Sequence, residues 1–136
     1  MITQALHTYF TISNIEDVKI EGLEGNFFLD TLTNAKSKEN FPITIDAECD
    51  RVYQSVIKDI KLHDSKRSIT LAAKGSSSTV VWNPWIEKGS KMSAMKSDGY
   101  KSFICIETAN AFDDARVIAV DSEHTLMIRY SALSLS

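Results

Sequence analysis

Apolar and polar residues alternate along this chain in short runs separated by turn residues. Alternation of this kind marks half-buried strands, because successive side chains on extended backbone point to opposite faces. Leu6-His7-Thr8-Tyr9-Phe10-Thr11-Ile12, rich in β-branched and aromatic residues, predicts a first strand. Val18-Lys19-Ile20 predicts a second, followed by Gly22 and Gly25, and Phe27-Phe28-Leu29 a third. Thr31 to Asn40 is polar and predicts a loop. Pro42-Ile43-Thr44-Ile45-Asp46 alternates again, and Val52 to Leu62 alternates weakly. Ser68 to Ala72 and Ser78 to Trp82 flank Lys74-Gly75-Ser76-Ser77, the pattern of a hairpin. Tyr100 to Glu107 predicts an apolar strand, and Val117 to Val120 with His124 to Tyr130 a last pair joined by Asp121-Ser122-Glu123.

Helical periodicity is nearly absent. The best candidate is Ser90 to Met95, inside the aperiodic stretch from Asn83 to Gly99. Short strands at regular spacing imply an all-β fold, an antiparallel β-sandwich. No repeat, low-complexity tract or linker divides the sequence, so residues 1–136 are expected to form a single sandwich domain. A strand that starts almost at Met1 is the pattern expected where further chain normally precedes it.

Composition narrows the functional classes. The 136 residues are 43% hydrophobic and 24% charged, ordinary for a globular domain with one core. A net charge of −3 provides no broad positive field, so no nucleic-acid partner is expected. A local pocket of Lys or Arg for a small anion remains compatible with that total. Cys49 and Cys105 lie in no CxxC or Cys/His pattern, so reduced, partly buried thiols are expected rather than zinc or a disulfide. No apolar run approaches the roughly 18 residues of a membrane span. The start MITQALHTYF lacks signal-peptide regions, and a cytoplasmic location is expected.

Four segments carry a family resemblance: Leu6-His7-Thr8-Tyr9-Phe10; Glu48-Cys49-Asp50-Arg51-Val52-Tyr53; Val81-Trp82-Asn83-Pro84-Trp85 with Lys88, Lys91 and Met92; and Tyr100-Lys101-Ser102-Phe103-Ile104-Cys105-Ile106-Glu107. Val18 to Gly25 adds a fifth. In order and separation they resemble the second half of the hexose-6-phosphate mutarotases, proteins similar to aldose 1-epimerases. The resemblance implies half of a galactose-mutarotase-like supersandwich. In that family the first half adds strands and pocket arginines, for which no residue here substitutes by motif. Cys49 stands where the family often has Thr.

Mutarotation needs a base for the C1 hydroxyl proton and an acid for the ring oxygen, each typically contributing 10²–10⁴-fold. By resemblance Glu107 is the base and His7 the acid, brought to opposite sides of a sugar-sized hollow. Asp50 would accept a sugar hydroxyl, against a plain reading as a surface Asp-Arg pair with Arg51. Trp85 would line the pocket rim, while Trp82 is open between core packing and sugar stacking. Lys88, Lys91 and Lys96 read either as a basic edge for phosphate or as a solvated loop. The reaction implies no cofactor and no metal. The implied partner is a sugar phosphate like glucose 6-phosphate. An open half-sandwich edge further implies a homodimer or a complex with a separate N-terminal half. The alternative is a non-catalytic carbohydrate-binding or assembly remnant. His63 and His124 read as surface residues, and Lys74-Gly75-Ser76-Ser77-Ser78 as a turn rather than a phosphate loop.

Overall fold

Alternating apolar residues pair into two antiparallel sheets in the computed structural model, which describes residues 1–135. In chain order the strands are β1 (Gln4–Leu6), β2 (Tyr9–Thr11), β3 (Lys19–Glu21), β4 (Phe27–Asp30), β5 (Ala35–Lys38) and β6 (Cys49–Tyr53). Then follow β7 (Ile60–His63), β8 (Arg67–Lys74), β9 (Ser78–Asn83), helix α1 (Trp85–Lys91), β10 (Phe103–Asn110) and β11 (Met127–Ser134). The larger sheet runs β1-β10-β9-β6-β4-β5, with β2 also on β10; the smaller runs β11-β8-β7-β3. Phe10, Phe28, Tyr53, Val81, Ile104 and Ile106 of the larger sheet meet Ile20, Ile60, Leu62, Ile69 and Leu71 of the smaller in one core. The fold is thus the expected all-β antiparallel sandwich.

Several local expectations change. Lys74 to Ser77 does not close a hairpin: β8 pairs with β7 and β11, whereas β9 pairs with β6 and β10. The link carries the chain from one sheet to the other through Gly75, at φ +75°. Turn chemistry was correctly signalled, but the pairing partner is decided by which faces can be buried together. Within the predicted loop Thr31 to Asn40, β5 pairs with β4 and is exposed along its whole length. Its Lys36 and Lys38 suit a solvated sheet edge.

Ile43 and Ile45 enter the core, yet Pro42 to Asp46 forms only an isolated bridge, Ile43 to Ile20. Val117 to Val120 forms no strand; β11 finds β8 instead, and Val117 and Val120 stay exposed. The helix begins five residues before the predicted Ser90, directly after buried Pro84. Asn83 sets that start, its Oδ1 accepting from the Trp85 amide at 2.9 Å while Nδ2 donates to the carbonyls of Tyr100 and Phe103. No helix among the described residues is long and apolar enough to cross a membrane.

Candidate active site

β10 organises the site because its two faces do different work. Ile104 and Ile106 point into the core, and Phe103, Cys105 and Glu107 point away from it. The first strand of the sequence reading is broken at His7-Thr8 into β1 and β2, but both pieces pair with β10 in one register. That register sets His7 opposite Glu107 and Tyr9 opposite Cys105. On the other flank of β10, Trp82 of β9 stands opposite Cys105, and Asp50 of β6 stands opposite Trp82. Pairing residues share a face, so strands far apart in sequence bring His7, Tyr9, Asp50, Trp82, Cys105 and Glu107 together.

The centre is a close imidazole–carboxylate pair. His7 Nε2 lies 3.0 Å from Glu107 Oε1, with the imidazole side chain 51% exposed and the carboxylate 9% exposed. Burial pushes the Glu107 pKa above its ordinary value; the His7 charge opposes that shift and the Asp50 charge adds to it. The pair is in direct contact, so the sugar-sized hollow expected between the two residues is not there. They share one face instead. Tyr9 stacks on His7 at 5.0 Å between ring centroids, and Trp82 presents an edge to it at 5.9 Å. Phe103 closes the aromatic group, 5.2 Å from Tyr9 and 5.7 Å from Trp82.

Buried Cys105 forms the floor, its thiol pushed up to about 12 by burial and by the charge of Glu107. The same burial, with Cys105 and Glu107 nearby, raises the Tyr9 phenol. Cys49 is likewise free and buried, and its Sγ donates to the Val81 carbonyl at 3.6 Å.

Asp50 does not pair with Arg51. Arg51 turns to the opposite face, lies 4.8 Å over the Phe28 ring and pairs with Glu39 at 3.4 Å, while Tyr53 donates to the same Glu39 oxygen at 2.9 Å. Half-buried Asp50 is left on the face of the site. Trp85 is set differently from its expected place at the rim. It takes φ +60°, packs 5.2 Å from Tyr100 and leans on the core. The indole beside His7 is Trp82, and the Lys88 ammonium lies 5.8 Å over its ring. Lys91 and Lys96 are exposed. Sequence reasoning did not single out Tyr9 or Phe103 for the site, although two-residue spacing from His7 and from Cys105 carried the signal.

The histidines expected on the surface are both half-buried and engaged. His63 bonds Ser68 at 2.7 Å and Glu21 at 3.2 Å. His124 Nε2 donates to the Gly75 carbonyl at 2.9 Å and to Asn110 Oδ1 at 3.1 Å.

Chemically, the site offers an exposed imidazole beside a desolvated carboxylate, framed by aromatic faces. It also holds three metal-capable donors: His7 nitrogen, Cys105 sulfur and a Glu107 oxygen lie within 4.8 Å of one another, the one such group among the described residues.

Comparison with known proteins identifies the lineage. The family model described as "Aldose 1-epimerase" matches residues 1–131. A "Putative glucose-6-phosphate 1-epimerase" of Cenchrus ciliaris is 37% identical over 114 residues, covering 79% of this chain and 34% of the relative. The protein of the same name from Escherichia coli K12 is 35% identical over 133 residues, covering 90% of this chain and 42% of the relative. A crystal structure of a "putative mutarotase" from Salmonella typhimurium superposes with a TM-score of 0.90 at 29% identity, covering 98% of this chain and 46% of that one. The chain therefore spans less than half the length of these relatives.

Proposed function

The chain belongs to the aldose 1-epimerase family, and on that footing we propose that it acts on a hexose 6-phosphate, interconverting the α and β anomers by acid–base ring opening. Glu107 takes the proton of the C1 hydroxyl as the C1–O5 bond breaks. His7 gives its Nε2 proton to the departing ring oxygen. The open-chain aldehyde rotates about C1–C2, and the two transfers run in reverse to close the other anomer. Both groups end as they began, so no metal, nucleotide or covalent adduct is consumed.

The observation that carries this reading is the close pair itself, an exposed imidazole 3.0 Å from a carboxylate whose pKa burial raises toward the working range. The sugar reaches the pair from the exposed His7 side and parts the two residues on entry. Asp50 accepts a sugar hydroxyl. Trp82 supplies the aromatic wall and Trp85 braces the start of α1 behind it. Lys88, above Trp82, faces the phosphate. A sugar phosphate substrate implies action in the cytoplasm. Polarimetry on fresh α-glucose 6-phosphate tests the reading. Decay to the equilibrium rotation is expected to be faster than in buffer, and faster than with unphosphorylated α-glucose under the same conditions. Equal decay with and without the chain rejects it.

A second reading is favoured by one fact, the coverage of less than half of each relative. In it the chain is a non-catalytic sugar-binding or assembly sandwich, joined to a second copy or to a separate first half. It predicts association through exposed strand edges without anomer exchange.

A further inference from the structure

We propose that His7 Nε2, Cys105 Sγ and a Glu107 carboxylate oxygen form a site for a thiophilic divalent cation of the Zn²⁺ class, which locks the acid–base pair rather than assisting it. The three donor atoms lie within 4.8 Å of one another. Zinc binds nitrogen and oxygen at about 2.0–2.2 Å and sulfur at about 2.3 Å, so its ligands sit roughly 3–4 Å apart. His7 Nε2 and Glu107 Oε1, at 3.0 Å, are at the short end of that range already. Cys105 and Glu107 are fixed two residues apart on one face of β10. The half-exposed imidazole next to the break between β1 and β2 is the element free to adjust.

One nitrogen, one sulfur and one carboxylate oxygen form the donor mix of zinc chemistry, with a fourth position left toward solvent on the His7 side. The carboxylate of Asp50 stands on the same face and adds negative charge that favours a cation. On binding, the Cys105 thiol gives up its proton to solvent and the sulfur–metal bond replaces S–H. The imidazole ligates through Nε2, whose proton passes to solvent or, through solvent, to Nδ1, so that one ring proton is left, on Nδ1.

Acid–base epimerisation needs no such ion, so occupancy blocks rather than completes the site. No cysteine motif marks it, because two of the ligands come from one strand and the third from a hundred residues away.

The test is titration of the full chain with Co²⁺ in the absence of sugar, read by absorption. A thiolate-to-cobalt charge-transfer band saturating at one ion per chain is expected, and Zn²⁺ should displace it, following the stronger binding of zinc by such donors. Cys105→Ser should abolish the band and Cys49→Ser should leave it. His7→Ala, at a half-exposed residue outside the core, should weaken Co²⁺ binding at least about tenfold. No band in the native chain, or a band that survives Cys105→Ser or is unmoved by His7→Ala, overturns the proposal. The readout is independent of anomer exchange: a chain inactive on sugars but showing the band retains the metal site and loses only the functional reading.

Discussion

Glu107 carries a tension between stability and chemistry. Its carboxylate is buried on one side, and burial outweighs the nearby imidazole, so its folded pKa stands above the ordinary value. A carboxyl group with a raised folded pKa holds its proton more tightly folded than unfolded. Its charge therefore costs stability once pH rises through the folded pKa, and costs nothing below the unfolded one. Glu107→Gln removes the charge and keeps the shape. We predict a higher Tm for this variant at pH 7 by calorimetry, with the gap closing toward pH 4. The opposite gap, a lower Tm at pH 7, would mean that the His7 interaction outweighs burial. In the proposed reaction the same shift would set the pH profile of kcat/KM. Its acid limb should report a base that titrates above the ordinary carboxylate range, and a limb at ordinary glutamate values would remove Glu107 from that role. Resemblance pointed to His7, Asp50 and Glu107, which the strand register sets on one face. The direct contact of His7 with Glu107 was not legible in the sequence, because a one-residue slip on either strand would have faced them apart.

At the scale of elements, alternation located most strands but not their partners. The segments around Gly75 read as a hairpin because turn chemistry is local, whereas the choice of sheet depends on burial between residues distant in sequence. A buried polar knot holds that crossing. Burial alone would raise the Asp114 pKa, but donors from the Ser77 amide and hydroxyl, Asn110 and Arg116 prevail and hold it below the ordinary value. Asn110 also takes a bond from Gln4 and donates to the Gly75 carbonyl, so β1, β10 and the crossing link are tied together. Stability from Asp114 is present above its unfolded pKa and lost as pH falls through the folded one. Asp114→Asn should cost roughly 2–4 kcal/mol in urea unfolding at pH 7, with the deficit shrinking in acid. A change below ~0.5 kcal/mol, as at an ordinary surface site, would show that the knot does not secure the crossing. Gly75 is needed for a related reason: its φ is +75°, and a Cβ there would run into the Thr125 carbonyl.

The whole molecule is a sandwich with unequal sheets, and its smaller sheet ends in β11, an edge strand with Tyr130, Leu133 and Met127 exposed. Long apolar edges template pairing with another chain. Light scattering should show association of the native chain that rises with concentration, and Leu133→Lys should shift it toward monomer. A monodisperse monomer at high concentration would count against assembly through this edge. The all-β class was readable from periodicity alone, and the lineage from four short segments, because both are encoded locally. Strand order, the crossing at Gly75 and the aromatic group around His7 are properties of packing, which a single sequence carries only implicitly. The proposed chemistry rests on two side chains a hundred residues apart that the register of β10 sets in contact. The most direct test is exchange NMR on α-glucose 6-phosphate with the native chain, His7→Ala and Glu107→Gln. Acid–base ring opening by this pair predicts acceleration over buffer that falls by about 10²-fold or more in each variant; native exchange at the buffer rate, or acceleration that survives both substitutions, would contradict it.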